Sequence, residues 1–222
     1  MPHLRLLVLL LAAAALPVRA ASAGAVSSAG APPAFDVETQ VLYSRRDVAA
    51  LRRLCVGASG EADLLCRYRL YPLTQDAALI ARLPTTAPAP TARANALLSG
   101  LWGYRAARAS AFQLPALGRR TLDLLRTARR LDPTDPFVLL VDGQSLLFHP
   151  AIAGGDAREA LARFRTLRRH ARDGVSTTEA DVWIWYALHR LRDADAAPMR
   201  QRLLAAAPAP LYRDFLLHPP RG

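Results

Sequence analysis

Lysine is absent from this 222-residue chain, so all 29 of its basic residues are arginines. That absence removes the Lys on which a phosphate-binding Gly-rich loop depends. Cysteine is limited to Cys55 and Cys66, too few and too widely spaced for a C-x-x-C redox pair or a structural zinc site. Histidine is sparse, and His149, His170, His189 and His218 follow no metal-ligand spacing, so neither a metal nor a cofactor is expected. Beyond the N-terminus no apolar run reaches the about 20 residues that a membrane-crossing helix needs. Convergent catalytic groups are lacking too. Gly143-Gln144-Ser145 misses the second glycine of a nucleophile elbow and falls inside a helical segment. A hydrolase would need His149 and Asp156 to share a pocket with a nucleophile, and a protein without chemistry of its own is expected.

What is present begins with Arg5, the apolar run Leu6 to Leu16 and the small-residue exit Pro17-Val18-Arg19-Ala20. Residues 1–20 therefore read as a secretory signal peptide cut near Ala20 or Ala23, and predict a periplasmic or secreted protein with no membrane span after cleavage. Residues 21–34, rich in Ala, Ser and Gly, read as a flexible leader. The formal net charge is +11, which falls to +9 when Arg5 and Arg19 leave with the signal. Arginine usage alongside abundant Ala, Leu and Pro fits GC-rich coding, yet the charge still steers acidic neighbours toward the surface. Export disfavours nucleic acid as the partner. With hydrophobic residues at 52%, roughly 200 mature residues are enough for one well-filled core.

Residues 35–83 read as a helical hairpin region. Asp47 is placed to cap Val48 to Cys55, and Glu61 to Tyr71 repeats the apolar spacing after Gly57 and Gly60 break the run. On one continuous helix Cys55 and Cys66 would lie about 16 Å apart, far beyond the roughly 7 Å between Cα atoms that a disulfide tolerates. Only a reversal through Gly57-Ala58-Ser59-Gly60 lets them meet. The oxidising compartment favours the bridge, which would contribute roughly 2 to 3 kcal/mol in the chain-entropy model.

Residues 84–90, with Pro84, Pro88 and Pro90, form a stiff connector, because prolines remove donors and restrict their predecessors. Residues 91–216 then alternate apolar stripes with turn signals. The first predicted pair is Thr91 to Phe112 with Ala116 to Leu131. The second is Pro136 to Phe148 with Ala157 to Ala171, and the third is Thr177 to Arg192 with Pro198 to Ala206. Pro136 suits a first helical turn, and Ser176 with Glu179 has the spacing of a capping box. Phe137 to Val141 and Leu146 to Phe148 make their helix apolar on nearly every side, placing it at the centre of the molecule. Residues 217–222 are left as a tail.

In the segment Ala128 to Leu167 the chain resembles the tetratricopeptide-repeat superfamily. Ala128-Arg129-Arg130-Leu131-Asp132-Pro133 looks like the family's repeat ending. Gly143 matches the small residue where paired helices approach, and Ala160 with Phe164 match packing positions of the second helix. Trp183 and Ala187 are similar to the first-helix pattern of another repeat. The spacing from Gly143 to Ala160 is about five residues longer than in a 34-residue repeat, and the Trp102 to Tyr104 region fits loosely. The resemblance implies an all-α fold of stacked antiparallel helix pairs in a right-handed solenoid, a degenerate and exported version of the superfamily.

That implied architecture presents surfaces rather than reactive pockets. Recognition candidates are the loop residues His149, Ile152, Gly154, Gly155 and Asp156, since binding groups concentrate on loops held by rigid elements. Helix-boundary chemistry is the stronger explanation of the same loop: Pro150 stops one helix and Asp156 caps the next. Trp102, Tyr104, Trp183, Trp185 and Tyr186 are aromatic candidates, because such residues dominate interface hot spots; core packing is their other reading. Arg165 and Arg169, in a stripe with Arg158 and Arg172, could dock an acidic partner or simply face water, as could Arg119, Arg126 and Arg130. The expected function is an exported scaffold or adaptor whose inner surface binds another protein or peptide. The alternative is a periplasmic ligand-binding subunit enclosing a small molecule. An open groove favours the first, an enclosed cavity with inward Arg the second, and oligomeric state is not encoded legibly.

Overall fold

A computed structural model describes residues 33–149, 154–172 and 174–220. The predicted signal peptide, most of the predicted leader and the candidate Ile152 lie outside those residues. Among the described residues every regular element is an α-helix, and the one β contact is an isolated bridge between Arg172 and Val175. The helices are α1 (Pro33–Arg45), α2 (Val48–Leu54), α3 (Gly60–Thr74), α4 (Ala78–Ala81), α5 (Ala92–Ala106) and α6 (Leu114–Leu131). They continue as α7 (Pro136–Phe148), α8 (Ala157–His170), α9 (Thr177–Leu191), α10 (Ala196–Ala205) and α11 (Pro210–Leu217). None is long and apolar enough to cross a membrane.

Polar caps start five of these helices by accepting the orphan N–H groups of the first turn. Asp47 accepts from Ala50, Thr91 from Ala94, Asp135 from Phe137 and Val138, and Asp156 from Arg158 and Glu159. Ser176 accepts from Glu179, but the box predicted there is incomplete. The Glu179 carboxylate turns away from the Ser176 amide and binds Arg69 instead. A second departure is at α5, which ends at Ala106 rather than running to Phe112; the chain continues in turns to α6. A third is α11, a short helix beyond the predicted pairs.

Cys55 and Cys66 form a disulfide with Cα atoms 5.9 Å apart. Gly57 and Gly60, both at positive φ, make the reversal that brings α2 back along α3. Backbone of that hand is nearly free only for glycine.

Three hairpins follow, α5 with α6, α7 with α8, and α9 with α10. Their joints depend on small residues. A Cβ on Gly143 would lie 2.4 Å from the Phe164 ring, and one on Gly100 would lie 2.7 Å from Tyr68. Glycine at these two sites lets α7 approach α8, and α5 approach α3. Helix α7 is the centre of the core, with Phe137, Val138, Leu139, Leu140, Val141 and Leu147 all buried. At about 1.5–3 kcal/mol for each large side chain removed from water, this one helix anchors its neighbours.

The N-terminal region is not a separate packing unit. Leu64, Leu65 and Tyr68 of α3 share one continuous core with α5, α7, α9 and Leu216 of α11. Helix α1 lies against both α3 and α11. Gln40 of α1 donates to the Tyr212 hydroxyl of α11, and Arg46 pairs with Asp214 at 2.9 Å. Both ends of the described chain thus meet on the same side of the core.

Candidate interaction surface

Helix α3 packs against α5 and α1, and α1 closes on α11. Arg69 of α3 is 1% exposed and reaches Glu179 at the start of α9, with Nη1–Oε1 and Nη2–Oε2 distances of 2.7 and 3.1 Å. Nη2 also donates to the Gly174 carbonyl at 2.5 Å. Gly174 has φ of 74° and packs against Phe137 and Asp36, so the turn before α9 closes onto α1 and α7 together. Asp36 is itself paired with Arg93 of α5. The guanidinium of Arg69 lies 4.5 Å from the Tyr43 ring centroid and 5.5 Å from that of Phe137. This buried centre ties α3 to the start of α9, with Tyr43 of α1 and Phe137 of α7 around the guanidinium.

Burial at this centre sets its protonation. Desolvation pushes the Tyr43 hydroxyl up to about 12, against the lowering influence of Arg69. It also raises Tyr68, Tyr104 and Tyr212. Burial acts against the charge of Arg69, but the Glu179 carboxylate outweighs it and holds the guanidinium protonated. The inward arginine is already neutralised by a bidentate partner.

The sequence candidates fall in three places. Trp102 is buried and donates to the Pro84 carbonyl at 3.1 Å, while Tyr104 is half-buried and stacked on Tyr71 and Tyr68. Trp185 and Tyr186 are buried with Phe215, and the Tyr186 hydroxyl donates to the Pro220 carbonyl. Trp183 is half-buried between Phe164 and Phe148, the latter 50% exposed. Four of these five aromatics are accounted for by packing, and Trp183 with Phe148 leaves an apolar edge at the surface.

The loop candidates have structural work. His149 Nδ1 lies 2.7 Å from the Ser145 carbonyl oxygen, which can only accept, so this nitrogen carries the proton and ties the residue to the end of α7. Gly154 takes φ of 92°, Gly155 leads into the cap, and Asp156 is committed to two backbone amides of α8. The Ser145 hydroxyl lies 3.0 Å from His149 Nδ1, while Asp156, committed to the α8 amides, hydrogen-bonds to neither His149 nor Ser145 among the described residues. No group of three or more His, Cys, Asp and Glu is placed to hold a metal among them either.

Arg158, Arg165 and Arg169 are exposed on α8, and Arg172, past the helix end at His170, is exposed as well. Their helix-mates differ. Arg163 binds Asp142 and Glu159, and Arg168 binds Asp181. Asp142 in turn receives Arg129 of α6, so one buried carboxylate links three helices. None of Arg158, Arg165, Arg169 and Arg172 has a carboxylate within ion-pair distance among the described residues. On α6, Arg126 is paired with Asp123, while Arg119 and Arg130 are not paired with an acid.

Among the depressions on the described surface are two that are open to solvent. The larger, about 680 Å³, lies between the proline connector and α6 and is lined by Thr85, Thr86, Asn95, Arg119, Arg120 and Asp123 among others. The smaller, about 400 Å³, is bordered by Glu61, Arg93, Asp132 and Asp135. Sequence reasoning missed the Arg69 centre because Glu179 there mimics a capping residue and its partner is 110 positions away. No protein-family model, curated protein or solved structure matches this chain.

Proposed function

We propose that the chain is an exported, tetratricopeptide-like helical adaptor of the bacterial periplasm or envelope. It holds an acidic protein partner on the outward arginine stripe of α8. One observation carries this reading: Arg158, Arg165 and Arg169 are exposed, with no carboxylate in ion-pair distance among the described residues, on a helix whose other two arginines are held by carboxylates, and Arg172 is exposed just past its end. Guanidinium groups spaced along a rigid helix match carboxylates in pairs, with bidentate geometry adding specificity. The apolar run Leu6 to Leu16 supports export, and the Cys55–Cys66 disulfide fits an oxidising compartment. Open depressions and a neutralised inward arginine favour the adaptor over a subunit that encloses a small molecule.

The test compares the exported wild-type protein with Arg165→Glu/Arg169→Glu as baits in the native envelope. The wild type is expected to retain an acidic protein that a salt wash releases, and the variant to lose it while keeping its helical content. Retention of the same proteins by both baits, or of the bait alone, overturns the reading.

A further inference from the structure

The end of the molecule formed by the α5–α6 turn carries a second cationic feature that the α8 stripe does not explain. From residue 77 to residue 122 the sequence contains no Asp or Glu, yet holds Arg82, Arg93, Arg105, Arg108, Arg119 and Arg120. Arg93 is engaged by Asp36 and Glu61. The other five have no carboxylate within ion-pair distance among the described residues, and the nearest acid along α6, Asp123, is taken by Arg126.

Two of the five are drawn to one ring, close to the backbone beside a third. Arg105 and Arg120 each lie 5.0 Å from the Trp102 ring centroid. Arg105 also donates to the Ala81 carbonyl beside Arg82, and Arg120 to the Thr85 carbonyl. Like charges held this close, with a ring and carbonyls as their only partners, leave an uncompensated positive field at this end.

The turn itself is apolar and protruding. Phe112 is 96% exposed and Leu114 is 48% exposed. Ala111 and Pro115 on either side are exposed as well, and Arg108 and Arg119 flank the turn. A phenyl ring presented on a convex tip has no facing surface within this protein. A phenylalanine tip inside a girdle of arginines fits a bilayer interface, where the ring enters the acyl boundary and guanidinium groups reach lipid phosphates. A protein partner would instead have to supply both a deep apolar pocket and a surrounding ring of acids.

We infer that the α5–α6 turn is a membrane-contact site that inserts Phe112 and Leu114 into a bilayer bearing anionic phospholipids. Arg82, Arg105, Arg108, Arg119 and Arg120 hold the headgroups. This surface is separate from the α8 stripe, so a docked adaptor keeps that helix available, and either assignment can fail without the other.

The experiment uses mature protein and vesicles of phosphatidylcholine alone or mixed with phosphatidylglycerol. Wild type is expected to co-float with the mixed vesicles and not with phosphatidylcholine alone, and to be released as salt rises. Phe112→Ser/Leu114→Ser should weaken binding about tenfold or more, from the loss of buried apolar area. Arg108→Ser/Arg119→Ser should weaken it by roughly fivefold per charge removed. These residues are exposed, so the variants should melt with the wild type. In Phe112→Trp, tryptophan emission should shift to the blue on mixed vesicles. Undiminished binding by Phe112→Ser/Leu114→Ser, or equal binding to both vesicle types, overturns insertion. A shift in Phe112→Trp with an acidic polypeptide but not with mixed vesicles would assign the tip to a protein instead.

Discussion

Arg69 and Glu179 are buried charges whose attraction has to offset the loss of water around both. The pair meets that demand by bidentate geometry, a third bond to the Gly174 carbonyl and an aromatic surround from Tyr43, Tyr68 and Phe137. Removing one partner strands the other in a dry site. Arg69→Met should therefore cost about 3–5 kcal/mol, read from the urea midpoint. Arg69→Met/Glu179→Leu should cost less than the single change, because no charge is left alone. A single variant within about 0.5 kcal/mol of wild type, the usual range for surface changes, would contradict a dry, paired centre. The tyrosines around it give a pH prediction of definite sign. Tyr43 is raised to about 12, and Tyr68, Tyr104 and Tyr212 are raised too, above the roughly 10 of an unfolded phenol. Their contribution to stability is full below about pH 10 and is lost as pH climbs toward the folded values, since only the unfolded state releases these protons readily. Phenolate absorbance from these four residues should rise in step with the loss of helical circular dichroism. Ionisation of all six tyrosines near pH 10 with the helices intact would refute it.

At the level of the helix, close approach decides most. Gly143 lies under the Phe164 ring with no room for a methyl group, so Gly143→Ala forces α7 and α8 apart or drives the ring off its rotamer. The expected loss is about 1–3 kcal/mol, even though alanine is the better helix former. Phe164→Leu in the same chain should recover part of it. Equal or greater stability of Gly143→Ala in thermal melts would show that α7 and α8 do not pack as described. Helix positions like these were largely legible in the sequence, because caps and periodicity are local signals: Pro136 to Phe148 was placed at its observed ends, and Ala157 at its start. The disulfide was legible too, since the distance limit left only a chain reversal. Where local signals are silent, the reading failed. Arg105 to Ala109 is rich in good helix formers and carries no Gly or Pro, so the end of α5 at Ala106 is imposed by the hairpin with α6. Helix α11 spans only eight residues and begins at Pro210, too short for a periodic stripe to stand out, although Pro210 at its first turn was the available clue. Trp185 and Tyr186 are exposed or buried according to what α11 covers, which no pattern within α9 reveals.

Across the whole molecule, the contacts between α1 and α11 and between α3 and α9 change how the chain should unfold. In an open array each repeat touches only its neighbours, and ends can fray while the middle stays folded. Here α1 is held by Tyr212 and Asp214 of α11, and α3 by Glu179 of α9, across sequence separations of 110 to 172 residues. Opening either end exposes the buried ion pair, so partial unfolding is unfavourable beyond the loss of the local contacts. Urea unfolding followed by helical circular dichroism and by tryptophan fluorescence should give coincident single transitions. Amides in the middle of α3 and α9 should exchange only through global opening. Tyr212→Ala should raise exchange in α1, a helix it touches only through the closure, and should lower the global midpoint. Were α1 to keep its protection in that variant, or the two probes to separate, the terminal helices would be fraying appendages on a linear stack. Cooperative closure also bears on the two cationic surfaces. Helix α8 and the α5–α6 turn lie on hairpins joined through α7, so a rigid core keeps their spacing constant. A partner on one and a bilayer under the other would then be held at a set distance, which flexible ends could not ensure.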